Sequence, residues 1–151
     1  MSSILVALDF SDSSQKVLDA AIQVAKGRSG QIVLLHVVAP DPDFVTFDPG
    51  PQHERDWRAQ HIKEQRAHME ELRDDLRGRD DLSTDEIEVK TVVAEGGTTD
   101  KIIEEAGRFS ADFIVMGTHG HSAVYEALVG SVAHSVLRYA TIPVLLVPVR
   151  E

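Results

Sequence analysis

The chain has 151 residues, enough for one domain with a sizeable core; 42% are hydrophobic but only 5% aromatic, so an aliphatic core is expected. The formal net charge of −10, from 25 acids against 15 bases, argues against nonspecific nucleic-acid binding, which needs Lys and Arg to displace counterions, and against docking on anionic membranes. With no cysteine, disulfides, thiol catalysis and Cys-based metal sites are excluded, and no apolar run approaches the roughly 20 residues that span a bilayer. The opening MSSILVALDF lacks the basic region and cleavage-like site of a signal peptide, so a soluble cytoplasmic protein is expected.

Residues 3 to 8 form a short apolar run that fits a strand buried on both faces and ends at Asp9. Ser11, Asp12 and Ser13 are good N-cap types, and Val17, Leu18, Ala21, Ile22, Val24 and Ala25 then recur at helical spacing. Gly27 and Gly30 offer a stop before a second buried strand at 32 to 38, closed by Pro40. Residues 39 to 52 hold four of the six prolines and read as a loop, whose apolar Phe44, Val45 and Phe47 suit folding over something or meeting a partner. Residues 53 to 77 predict a long charged helix with Ile62, Met69, Leu72 and Leu76 on one stripe.

A third strand, 87 to 93, alternates in the manner of a sheet edge. Gly96-Gly97-Thr98-Thr99 is a turn with a cap, and Ile102, Ile103 and Ala106 mark a short helix after it. Residues 113 to 116 make a fourth strand. Val132, Val136, Leu137 and Tyr139 form the expected inner face of a last helix, and a last strand spans 143 to 149, where Pro148 implies an edge or a bulge. This alternation predicts a single-domain α/β fold over 1–151: an open parallel five-stranded sheet with helices on both faces. In such sheets ligands bind beyond the C-terminal ends of the strands, and Asp9, Val38 and Gly117 all stand at such ends.

Between the fourth strand and the last helix lies GTHGHSAVYEALVGS, residues 117 to 131, punctuated by Gly117, Gly120 and Gly130. Phosphate is well bound by backbone N–H groups converging from a loop and a helix N-terminus, where glycine permits close approach. Gly130 and Ser131 open the last helix, with a plain helix start capped by Ser131 as the alternative. The Walker A pattern and the dinucleotide fingerprint are both absent. His119 and His121 form an H-x-H pair that could ligate a metal, but no third ligand is assured. His61 and His68, seven apart, read as a solvated helix face, and His36, inside a strand, as a satisfied core residue.

Gly117-x2-Gly120-x9-Gly130-Ser131 resembles the nucleotide-binding motif of the universal stress proteins, G-x2-G-x9-G-[ST]. ILVALDFSDSS, DFIVMGTHGHS and GSVAHSVLRYATIPVLLV are similar to that family's opening strand and C-terminal half, and the resemblance is weakest over 39 to 86. It implies strand order 3-2-1-4-5, a Rossmann-like fold of the adenine nucleotide alpha hydrolase type, and a homodimer built on the last strand, Val144 to Val149. It also implies ATP, with Mg or Mn, in the crevice. Asp9 would meet the ribose and could share the metal with the phosphates; Ala7 and Leu8 would lie alongside. Val38 would bond adenine through its backbone, and Met116 would pack near the base. Gly117, Gly120, Gly130 and Ser131 would cradle the phosphates, helped by backbone at His119, His121 and Val132.

Two positions depart from the family. His121 stands where Arg is frequent, which lowers the expected triphosphate affinity near pH 7 and keeps AMP or cAMP as alternative ligands. Phe10 replaces a frequent Gly, which stiffens the turn after the acid. The expected function is a dimeric ATP-binding stress sensor or regulator with an unknown regulatory protein partner; the alternatives are a cAMP or other adenine-ligand binder and a ligand-independent interaction module. No Walker lysine, loop arginine or evident base is present, so no enzyme activity beyond weak ATP hydrolysis is expected.

Overall fold

The structure, a computed structural model, describes residues 2–11, 13–38, 51–83, 85–119 and 129–149, with 51–54 given by their backbone alone. The elements alternate strictly: β1 (Ser2–Ala7), α1 (Ser14–Ala25), β2 (Gly30–Val38), α2 (Pro51–Arg77), β3 (Ile87–Glu95), α3 (Thr98–Arg108), β4 (Phe113–Gly117), α4 (Ser131–Tyr139) and β5 (Val144–Val147). The strands form one parallel sheet in the order β3-β2-β1-β4-β5. The predicted edge position of the third strand holds. The last strand is shorter than expected and ends before Pro148, whose missing N–H therefore interrupts no ladder. The long helix starts two residues earlier than its periodicity suggests.

Period-two alternation sorts each central strand onto two cores. Ile4, Val6 and Leu8 of the β1 stretch join Ile32 and Leu34 of β2 under α1 and α2, where Val17, Ile22, Met69 and Leu76 are buried. Leu5, Val33 and Leu35 point to the opposite face and pack with Ile102, Ile114, Met116, Ala133 and Val136 under α3 and α4. Register places Ile4 beside Ile32 and Phe113, so β1 is buried between two neighbours as well as two layers. The inner face expected for the last helix is corrected here. Ala133 and Val136 are its buried residues, Val132 is half-buried, and Leu137 and Tyr139 are exposed. The apolar loop Phe44-Val45-Phe47 lies outside the described residues.

From β1 the chain winds outward through β2 to β3, then returns to place β4 on the other side of β1. Strand order therefore reverses between β1 and β4, and the helices that leave these two strands separate there. A gap at the C-terminal edge of the sheet is the geometric consequence.

Candidate functional site

A crevice of about 390 Å³ opens at that gap, within the size range of small-molecule sites. Ala7, Leu8 and Asp9 enter it from the end of β1, Leu35, His36 and Val37 from β2, and Met116, Gly117, Thr118 and His119 from β4. Ile102 of α3 and Val17 of α1 add apolar wall. Three helices point their first turns at it: α1 through Ser13 and Ser14, α3 through Thr98, and α4 through Gly130, Ser131 and Val132. Two of the N-caps, Gly97 and Gly130, are glycines, and the third, Ser13, makes no capping hydrogen bond. First-turn N–H groups and three dipoles of one sign thus converge on a single space, an arrangement that favours an anion.

Gly130 is glycine for want of room. A Cβ there would meet the Thr118 carbonyl oxygen at 3.0 Å and the His119 Cα at 3.4 Å, while its φ of −69° suits any residue. The same carbonyl accepts the Gly130 N–H at 2.6 Å, which ties the start of α4 to the end of β4. Gly117 is crowded similarly, with Val149 Cγ1 at 3.0 Å and the His119 carbonyl oxygen at 3.4 Å from a notional Cβ. The structure puts Gly130 in the N-cap position and Ser131 in the first helical position, so Ser131 is not the cap.

The turn from β1 into α1 is held by its own side chains. Asp9 Oδ1 accepts the Ser11 N–H at 2.9 Å, and the Ser11 and Ser13 hydroxyls are 2.6 Å apart. Between them Phe10 sits at φ +61°, a left-handed conformation that costs a non-glycine residue roughly 1–2 kcal/mol. Its ring lies between two imidazoles, His36 at 4.1 Å and His68 at 4.2 Å between centroids. Two such ring contacts, each about 0.5–1.5 kcal/mol, are enough to offset the strain. His36 Nδ1 also donates to the Leu8 carbonyl at 2.8 Å when that nitrogen carries the proton. Burial holds the His36 imidazole below its usual pKa, with His61 and His68 adding to the lowering and the Leu8 carbonyl and Asp9 opposing it.

Of the residues singled out in the sequence, Ala7, Leu8, Asp9, Met116, Gly117, His119, Gly130, Ser131 and Val132 come together in the crevice wall. Val38 lies one residue beyond the β2 stretch that lines it, with its carbonyl accepting the Gly96 N–H at 3.1 Å. Gly120 and His121 lie outside the described residues. His36, expected to be a satisfied core residue, is hydrogen-bonded but also lines the crevice. Thr98, Ile102 and Val37 were missed. Thr98 had a signal in the Gly-Gly-Thr-Thr turn, which marks a helix start at the strand-end side of the sheet. Among the described residues no group of three or more His, Cys, Asp or Glu is gathered for a metal ion, so a cation at Asp9 would depend on ligand phosphates for further oxygens.

The model of the Universal stress protein family matches residues 1–148. Universal stress protein YxiE of Bacillus subtilis is 30% identical over 147 residues, covering 95% of this chain and 96% of that protein. Among solved structures, hypothetical protein MJ0577 superposes with a TM-score of 0.80 at 24% identity, covering 99% and 96% of the two chains. A universal stress protein in complex with cAMP gives 0.66 at 22% identity, covering 99% and 98%. The Archaeoglobus fulgidus universal stress protein in complex with dAMP gives 0.66 at 21%, covering 97% and 98%. The family match spans nearly every residue, and the sheet order is the one the sequence resemblance implied; the chain belongs to the universal stress protein family.

Proposed function

We propose that this protein binds an adenine nucleotide in the crevice, with Mg- or Mn-bound ATP as its ligand, and acts as a dimeric stress-response sensor rather than as an enzyme. The observation that carries the reading is the convergence of three helix N-termini on a space that the Asp9 turn also lines. A nucleotide is an anion at one end and an apolar base with ribose hydroxyls at the other. The Gly130–Ser131 end offers N–H groups to phosphate, and the Asp9 carboxylate offers acceptors to ribose hydroxyls. Leu35, Val37, Met116 and Ile102 supply an apolar surface for the base. The complexes of two structural neighbours with cAMP and dAMP agree with an adenine ligand in general.

A second reading, AMP or cAMP, is favoured by one observation. The described crevice wall contains no Lys or Arg, and neither does the whole stretch 117–132. Less phosphate charge is easier to hold with dipoles alone. Equilibrium dialysis of nucleotide-stripped protein against ATP, AMP, cAMP and GTP decides between them. ATP bound ahead of AMP and cAMP supports the first reading, and the reverse order supports the second. Equal retention of GTP, or no retention, would remove both. Turnover of ATP beyond weak hydrolysis would overturn the non-enzymatic role.

For the dimer, β5 is the sheet edge beyond β4, and Leu145 on it is 40% exposed. An edge strand with an exposed apolar side chain suits pairing with a second copy. The role is assigned to the cytoplasm, with a regulatory protein as the downstream partner. No helix among the described residues is long and apolar enough to cross a membrane.

A further inference from the structure

Phe10 is not explained by the crevice. It follows Asp9 directly, yet its ring turns toward α2 and rests between His36 and His68. His36 holds the turn at two points, donating to the Leu8 carbonyl at 2.8 Å and covering one face of the Phe10 ring. On the other face His68 lies nearly parallel, at 15° between ring planes. His68 belongs to α2 and takes no part in the described crevice wall.

The Asp9 carboxylate is tied to the backbone on the far side of Phe10, because Oδ1 accepts the Ser11 N–H at 2.9 Å. Its direction therefore depends on Phe10 remaining left-handed, at φ +61°. A non-glycine residue keeps that conformation only while its surroundings hold it there. The ring packs on the core beneath α1 and α2, and its aromatic contacts are the two imidazoles.

We propose that His68 is a positioning residue for the nucleotide contact at Asp9, acting through Phe10, so that the seating of α2 and the occupancy of the crevice are linked. The proposal rests on the reading of the crevice as an adenine-nucleotide site. Linkage runs both ways: whatever factor α2 seating adds to ligand affinity, ligand adds to α2 seating. The helix face that carries His68 also carries His61 and the exposed Trp57, stacked at 5.0 Å, so a change in seating would reach the surface along that face.

The test compares wild type, His68→Ala and His68→Phe by two readouts. The first is amide hydrogen exchange at Ser11 in ligand-free protein. The second is the affinity for adenosine, which keeps the base and the ribose hydroxyls but lacks phosphate, and so leaves out the Gly130–Ser131 end. His68→Ala should speed Ser11 exchange and weaken adenosine about three- to tenfold, with the thermal midpoint lowered by only about 2–4 °C, because one ring contact is lost. His68→Phe should restore both, since it rebuilds the stack without the imidazole. Wild-type affinity in His68→Ala, or failure of His68→Phe to rescue, overturns the proposal and leaves the nucleotide reading standing. A wild-type protein that binds neither adenosine nor any adenine nucleotide overturns both.

Discussion

Replacing Gly130 by Ala isolates the question of why the loop before α4 carries glycine. The dihedral angles permit alanine, so any effect is one of space. The added Cβ would lie 3.0 Å from the Thr118 carbonyl oxygen, 3.4 Å from the His119 Cα and 3.6 Å from its Cδ2. Two of these neighbours are backbone, so relief requires the start of α4 to move by a few tenths of an ångström. The 2.6 Å hydrogen bond from Gly130 N–H to that same carbonyl resists the movement. Overpacking of this kind costs about 1–3 kcal/mol of stability. It also moves the first-turn N–H groups away from a bound phosphate, and weakening one charge-assisted bond, worth about 1.5–3 kcal/mol when complete, lowers nucleotide affinity about tenfold. Gly107→Ala is the control. It is the same chemical change inside α3, where nothing lies within 4 Å of the added carbon, and it should stabilise the fold by about 0.5–1 kcal/mol with no effect on binding. Urea unfolding and nucleotide titration of both variants make the comparison. Gly130→Ala with wild-type stability and wild-type affinity would refute the argument that the glycine is there for close approach.

Gly30→Ala should be the most damaging of the glycine changes. Its φ is +146° and its Cβ would fall 1.8 Å from the Ser2 carbonyl oxygen, so a loss above about 3 kcal/mol is expected, read as a collapse of the thermal midpoint. Asp9→Asn keeps an acceptor for the Ser11 N–H but loses the charge, and should weaken nucleotide binding about tenfold at unchanged thermal stability. Because burial holds the His36 pKa below its unfolded value of 6.5, the unfolded chain takes up the proton first. The stability that follows from this is fully present above pH 6.5 and is lost as pH falls toward the folded pKa. His36→Gln should flatten that part of the stability profile, measured by urea unfolding between pH 8 and pH 5. Leu145→Lys places a charge on the β5 edge and should convert a dimer to a monomer in light scattering, without weakening nucleotide binding per chain.

The sheet was legible because β1, β2 and β4 are apolar runs of the kind buried on both faces, β5 is an apolar run at the sheet edge, and each strand is separated from the next by a helix-period segment. Boundaries shifted by one or two residues, since ladder hydrogen bonds extend past the apolar stretch: β2 begins at Gly30, whose pairing with Ser2 and Ile87 no hydrophobicity signals. The misplaced face of α4 has a similar cause. Leu137 and Tyr139 carry more apolar surface than Ala133, yet this nine-residue helix buries only its small side chain and Val136 against the sheet. At the site, Asp9, Gly117 and Gly130 could be found because strand ends and glycines mark them locally. Thr98 had a local mark in its Gly-Gly-Thr-Thr turn, whereas Ile102 and Val37 reach the crevice through topology alone. The left-handed Phe10 had one signal, the glycine frequent at its position in the resembled family, but the rings that pack on it come from positions 26 and 58 residues away, as the numbers of His36 and His68 give.

The central claim is that the crevice is a nucleotide site and not merely a tight connection between β4 and α4. Calorimetric titration of Mg–ATP into nucleotide-stripped protein, repeated with AMP and with cAMP, tests it most directly. The account predicts saturable one-to-one binding of an adenine nucleotide, tenfold weaker in Gly130→Ala. No heat from any of the three, in a protein whose folding is intact, would contradict it.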